Sequence, residues 1–157
     1  MNPIRSAEES DVSRIAEILV FNNRLNFYPI FQNDDYSFGE LQVVPIAEKY
    51  RTDSDLLHRT FVYDDGIVRG MIVIDGTEIS KLFVDPCFQN RGIGAALLKF
   101  AVEVHHADVL WALEKNVRGI RFYERHGFHV TDEKIFEEGT TEYLVRLRRR
   151  RNSGVQV

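Results

Sequence analysis

The stretch that most constrains this chain is Gln89-Asn90-Arg91-Gly92-Ile93-Gly94, because an apolar strand runs into it and an amphipathic helix runs out of it. The incoming segment is Ile79-Ser80-Lys81-Leu82-Phe83-Val84, and the turn is Asp85-Pro86-Cys87-Phe88. The outgoing helix starts near Ile93 and continues to about His105. Two glycines let backbone approach a ligand closely. The first N–H groups of a helix, at the positive end of its dipole, favour an anion. Diphosphate is the guest that such a cradle suits.

A chain of 157 residues, 44% of them hydrophobic, is long enough for one well-buried core and gives no sign of a second domain. One domain over residues 1–147 is expected. No apolar run approaches the roughly 20 residues of a membrane span, and Met1-Asn2-Pro3-Ile4-Arg5 has no signal-peptide core, so a cytoplasmic protein with no membrane partner is expected. The single Cys87 forbids an intrachain disulfide and a multi-cysteine metal site. His105-His106, His58, His126 and His129 fall at no ligand spacing, so no metal is expected either. Five of the 20 basic residues, Arg146, Arg148, Arg149, Arg150 and Arg151, follow the last acid, Glu142. The rest of the chain therefore holds 15 bases against 24 acids, a formal −9. An acidic body disfavours nucleic acid and suits a cationic substrate such as an amine, while residues 148–157 read as a basic, frayed, disordered tail.

Along the chain, Ile4 to Ala7 reads as a short strand. A helix follows, capped by Ser10 or Asp11, striped by Val12, Ile15, Ala16, Ile18 and Leu19, and ending near Asn22-Asn23. Residues 22–38 are aromatic and irregular, and a second helix is expected from about Phe38 to Tyr50, with Pro45 blurring its start. From Thr60 the period becomes that of strands: Phe61–Tyr63, Ile67–Ile74 and Thr77–Val84, separated by Asp64-Asp65-Gly66 and Asp75-Gly76. Asp-Gly between such runs is a hairpin signal, so an antiparallel meander is expected. Val109–Leu113 returns after the Gly92–His105 helix as a strand parallel to the previous one. Asn116 caps a short helix that Gly127 stops. Phe128–Val130 and Thr141–Leu147 then read as closing strands, joined through an acidic loop, Asp132 to Gly139.

Two familiar phosphate motifs do not fit the glycines. A Walker loop needs Gly-Lys-Ser/Thr, whereas Gly94 is followed by Ala95-Ala96. A dinucleotide fingerprint needs a third glycine or alanine where this chain has Leu97.

Gln89-Asn90-Arg91-Gly92-Ile93-Gly94 resembles the Gln/Arg-x-x-Gly-x-Gly/Ala acetyl-CoA signature of the GNAT superfamily of N-acetyltransferases. Asn116, Phe122-Tyr123-Glu124 and Gly127-Phe128 resemble its second block. The resemblance spans about Glu78 to Phe128, and residues 1–60 share only the order of elements. It implies an α/β fold with a mixed central sheet splayed between two parallel strands and flanked by helices. It implies acetyl-CoA as cosubstrate and a primary amine as acceptor: a small molecule, a lysine side chain or a protein N-terminus. Such domains are monomers or homodimers. A non-catalytic acyl-CoA-sensing module on the same fold is the alternative.

The resemblance also distributes roles. Within the cofactor-binding stretch Gln89, Asn90, Arg91, Gly92, Ile93, Gly94 and Ala95, the backbone N–H groups from Arg91 through Ala95 would hold the diphosphate. Leu82, Phe83 and Val84 would pair with the pantetheine arm as with an added strand, and Asn116 would bond its amide. Phe122 and Tyr123 would line the thioester, with Tyr123 as the acid that protonates the departing thiolate. Glu78 stands where histone-acetylating relatives carry a catalytic glutamate, and Glu114 is the second candidate base beside ordered water.

Overall fold

The computed structural model describes residues 2–150. They form two compact units that divide between Ala107 and Asp108.

In the first unit four sheet strands pair antiparallel in the order β1 (Ile4–Ser6), β2 (Thr60–Asp64), β3 (Val68–Asp75), β4 (Glu78–Val84). The expected meander is there, turned at Gly66 (φ +120°) and Gly76 (φ +63°), conformations that glycine adopts without strain. Between β1 and β2 run helices α1 (Val12–Asn26), α2 (Tyr28–Phe31), α3 (Val43–Thr52) and α4 (Ser54–His58). Helix α5 (Ile93–His105) closes the unit.

Gly70 to Ile74 are buried without a break, so β3 is covered on both faces. Met71 and Val73 share a core with Val12, Ile15 and Ile18 of α1 and with Tyr50 of α3. Gly70, on the other face, meets α5: a Cβ there would lie 3.0 Å from Leu97 Cδ1 and 3.2 Å from Ile93 Cγ2. Helices α1 and α5 therefore grip the sheet from opposite sides. Each fully buried Leu or Ile in these layers contributes roughly 1.5–3 kcal/mol.

Three expectations for the N-terminal half are corrected. Helix α1 does not stop at Asn22-Asn23 but runs to Asn26, because the Asn22 amide bonds back to the Ile18 carbonyl at 2.8 Å instead of breaking the helix. Residues 22–38 are largely helical: α2 is followed by a π-helical turn over Asp35–Glu40. The second long helix starts at Val43, since Pro45 is tolerated in a first turn, where its missing N–H costs nothing, and it extends to Thr52.

The second unit holds β5 (Val109–Leu113), α6 (Val117–Arg125), β6 (Phe128–Phe136) and β7 (Tyr143–Arg149), with strand order β5-β7-β6, all antiparallel. Much of the expected acidic loop is strand, because β6 continues to Phe136 after an irregularity between Val130 and Lys134. Glu133 faces Arg146 (3.9 Å) and Arg148 (3.4 Å), and this cross-strand charge match favours pairing over solvation. Strand β7 likewise passes the expected end of the domain at Leu147: Arg148 pairs with Val109 and His129, and Arg149 with Phe128. These two arginines belong to the sheet, whereas residues 151–157 of the expected tail lie outside the described residues.

No helix among the described residues is long and apolar enough to cross a membrane.

Candidate functional site

Strand β4 has one side turned to β3 and an opposite edge, and its backbone groups can be assigned to one or the other from its register with β3. Val84 pairs with Gly70, Phe83 with Met71 and Leu82 with Ile72, and the Asp85 amide donates to the Arg69 carbonyl at 2.8 Å. Hydrogen-bonded and non-bonded pairs alternate in an antiparallel ladder. Since Asp85 is in a bonded pair with Arg69, so is Phe83 with Met71. The main-chain groups of Leu82 and Val84 point away from β3. Of the three residues expected to meet an extended ligand, Phe83 thus has its backbone engaged by Met71. A register shift leaves Ser80 unpaired, since Ile79 pairs with Ile74 and Lys81 with Val73. This bulge separates Glu78, paired with Asp75 at the start of the strand, from the 82–84 edge.

The turn after β4 is held on all sides. The Asp85 carboxylate accepts from the Cys87 amide (2.9 Å) and from Arg14 of α1 (3.0 Å), and these bonds hold its pKa below the usual carboxylate value against the opposing pull of desolvation. Arg14 also donates to the Val68 carbonyl at 2.6 Å. Phe88 lies beneath the guanidinium of Arg69 at 4.3 Å and near that of Arg91 at 5.5 Å. Gln89 is turned inward: its amide nitrogen donates to the Val84 carbonyl (3.1 Å) and to Asn22 Oδ1 (3.2 Å). Asn90 (φ +63°) and Gly92 (φ +81°) then take left-handed conformations that swing the chain into α5. The Ala96 amide bonds the Gly92 carbonyl at 3.0 Å, so the amides of Ile93, Gly94 and Ala95 have no partner within the helix.

The amino end of this unit brings a second cluster beside the sheet. Arg24 donates to the carbonyls of Ser37 and Leu41, both at 3.0 Å, and lies over Phe38 at 5.0 Å. Tyr28 packs edge-on to Phe38 at 5.1 Å and donates its hydroxyl to Asp34 at 2.6 Å. Phe27 meets Phe83 of β4 at 6.2 Å. Asp34, Asp35 and Glu40 are exposed along this segment.

In the second unit, Asn116 caps α6 by accepting from the Gly119 amide at 3.2 Å. The approach is so close that a Cβ on Gly119 would fall 2.5 Å from Asn116 Nδ2. One turn on, Tyr123 packs against Phe122 (5.2 Å) and Phe128 (5.8 Å), and burial pushes its phenol above the ordinary tyrosine value. Glu114, the second candidate base, is ion-paired to Lys134 at 2.5 Å.

Within the first unit the structure thus joins Leu82–Val84 to Gln89, and within the second it joins Asn116 to the helix that carries Phe122 and Tyr123. Sequence reasoning missed Asn22 and Arg14. The signal was their spacing of eight from each other, with Ile18 between, which places polar groups on the buried stripe of α1.

Residues 57–130 match the model of the acetyltransferase (GNAT) domain. The peptidyl-lysine N-acetyltransferase YiaC of Escherichia coli (strain K12) is 34% identical over 70 residues, 44% of this chain and 48% of that protein. The chain thus spans about half the length of that relative, and 32% and 33% of the next two curated relatives it matches. Among solved structures, the apo form of YjaB from Escherichia coli has a TM-score of 0.69 at 19% identity, covering 93% of this chain and 95% of that one. The PaiA N-acetyltransferase of Thermoplasma acidophilum in complex with coenzyme A has a TM-score of 0.66 at 18% identity, covering 92% and 97%.

Proposed function

Because the chain belongs to the GNAT superfamily, whose α/β fold it has, we propose that it is an N-acetyltransferase moving acetyl from acetyl-CoA directly to a primary amine. The observation that carries this reading is the passage from the β4 edge through left-handed Asn90 and Gly92 to the unpartnered amides of Ile93–Ala95. That arrangement offers a diphosphate several convergent N–H donors at a helix N-terminus. The amide and carbonyl of Leu82 and the amide of Val84 would accept the pantetheine arm, and one of these two amides would polarise the thioester oxygen. Asn116 keeps one amide group beyond its cap bond for the pantetheine.

In the reaction a bond forms between the amine nitrogen and the acetyl carbon while the carbon–sulfur bond breaks. The ammonium must first lose a proton, for which Glu78 is the side-chain candidate, and the CoA thiolate gains one. Tyr123 suits the second task, since its raised phenol stays protonated at neutral pH. YiaC and YjaB are peptidyl-lysine N-acetyltransferases, and this similarity supports a peptidyl lysine as the acceptor. The exposed carboxylates of Asp34, Asp35 and Glu40 would draw such a cation towards the aromatic segment.

The test is release of free thiol from acetyl-CoA across a panel of lysine peptides, peptides with free N-termini and small amines, with Tyr123→Phe alongside. Acceptor-dependent thiol release, falling about 100-fold in Tyr123→Phe with acetyl-CoA binding kept, supports the reading. Binding of acetyl-CoA without thiol release on any acceptor favours a sensor, and no binding at all overturns the donor site.

A further inference from the structure

Asn22 is 2% exposed, in the middle of a helix whose neighbouring buried positions are apolar. A buried asparagine is costly unless every polar atom is matched. Here all are. Its amide nitrogen donates to the Ile18 carbonyl and to the Val84 carbonyl, both at 2.8 Å. Its oxygen accepts from Gln89 at 3.2 Å and from Asn26 at 3.4 Å. Gln89 in turn donates to the same Val84 carbonyl at 3.1 Å. Asn22, Val84 and Gln89 close a three-membered ring of hydrogen bonds that joins α1, the last residue of β4 and the first residue of the glycine-bearing stretch.

The ring has two effects on the edge described above. The Val84 carbonyl, which points away from β3, carries two amide donors and is withdrawn from any ligand. The start of the Gln89–Gly94 stretch is fixed at a set distance from the strand end. A donor molecule that spans both, its arm on the edge and its diphosphate at the helix N-terminus, needs that distance to be right before it arrives.

We infer that Asn22 and Gln89 are a positioning pair for the acetyl-CoA site, holding the β4 edge and the diphosphate loop in register with each other. They act on the donor through the backbone they hold and touch no reacting atom. This inference rests on the donor-site reading above. The consequence is selective: a ligand that occupies only the loop does not need the register, whereas one that spans loop and edge does.

The experiment measures binding of acetyl-CoA and of 3′-phospho-ADP, which keeps the diphosphate and lacks the pantetheine arm, by titration calorimetry. The proteins are wild type, Gln89→Ala, Asn22→Ala and the double variant. Each single variant should weaken acetyl-CoA about tenfold, the worth of one to two hydrogen bonds. The double variant should lose little more than either single one, because both act through one ring. Binding of 3′-phospho-ADP should change less than about threefold, and in turnover the loss should fall on the KM for acetyl-CoA. Gln89 is half-buried in a loop, so Gln89→Ala carries the test if Asn22→Ala does not fold. Equal weakening of both ligands, or losses that multiply in the double variant, would overturn the pairing, as would unchanged acetyl-CoA binding in folded variants. Failure of the wild type to bind acetyl-CoA would overturn the donor site and this inference with it.

Discussion

Gly119→Ala offers the most searching test of the second unit, because two opposed effects of known size meet at one atom. The new Cβ would lie 2.5 Å from Asn116 Nδ2 and 3.0 Å from Cγ, so the Asn116 side chain must leave its capping position. Loss of an N-cap bond costs about 1 kcal/mol. Replacing glycine by alanine within a helix returns about 1 kcal/mol, and Gly119 carries no positive φ that would forbid it. The single variant should therefore unfold in urea within about 0.5 kcal/mol of wild type, since the two effects nearly cancel. Asn116→Ala alone loses the cap with no compensation and should cost about 1 kcal/mol. In that background the obstruction is gone, so adding Gly119→Ala should stabilise by about 1 kcal/mol and bring the double variant back near wild type. Acetyl-CoA binding gives a second readout. It should weaken in Gly119→Ala despite unchanged stability, because the Asn116 amide has been displaced. Equal effects of Gly119→Ala on stability in both backgrounds would refute the steric reasoning.

Other substitutions probe the remaining layers. Gly70→Ala places a Cβ 3.0 Å from Leu97 Cδ1 and 3.2 Å from the Phe83 carbonyl, and overpacking of this kind should cost about 1–3 kcal/mol in urea unfolding; a neutral variant contradicts the tight α5–β3 contact. Arg5 donates to both carboxylate oxygens of Asp11 (2.8 and 2.9 Å), and this bonding holds Asp11 below its usual value. The resulting stability is present in full above the unfolded carboxylate value and is lost as pH falls through the lower folded one. Arg5→Gln should therefore move the acid-unfolding midpoint to higher pH, and an unmoved midpoint argues that the pair contributes nothing. If Glu78 is the base, Glu78→Gln removes the acidic limb of the pH–rate profile for kcat/KM, while an unchanged profile leaves the proton to water.

What could be read from the sequence was whatever local chemistry decides. Asp-Gly turns, Gly92 at the mouth of an amphipathic run and Asn116 with Gly127 around a short helix each fix their own backbone, and β2–β4, α5 and α6 lie where they were expected. Several of the failures share a cause, which is that a distant partner added its weight against a local preference. Asn22-Asn23 reads as a helix stop, but the Val84 carbonyl and the Gln89 amide give Asn22 a reason to stay inside α1. The run from Asp132 reads as a solvated loop until the arginines of β7 are placed across from Glu133. The same arginines read as a tail for the same reason. In the site, the motif located the loop and the helix N-terminus, but only the register of β3 with β4 separates the edge groups of Leu82 and Val84 from the engaged backbone of Phe83.

The strand order β5-β7-β6 has a consequence for how the second unit comes into being. Its middle strand is the last of the three to be synthesised, so β5 and β6 emerge from the ribosome with no partner between them. Until Tyr143–Arg149 is available, each exposes a row of unmatched peptide groups, and pairing must bridge from Leu113 to Leu144 and from Val109 to Arg148. Such long-range closure is slow and leaves nascent edges open to neighbouring chains. A nonsense codon just before Tyr143 would leave the flanking strands with nothing to join them, so the truncated product should be recovered in aggregates and not as a shortened soluble protein.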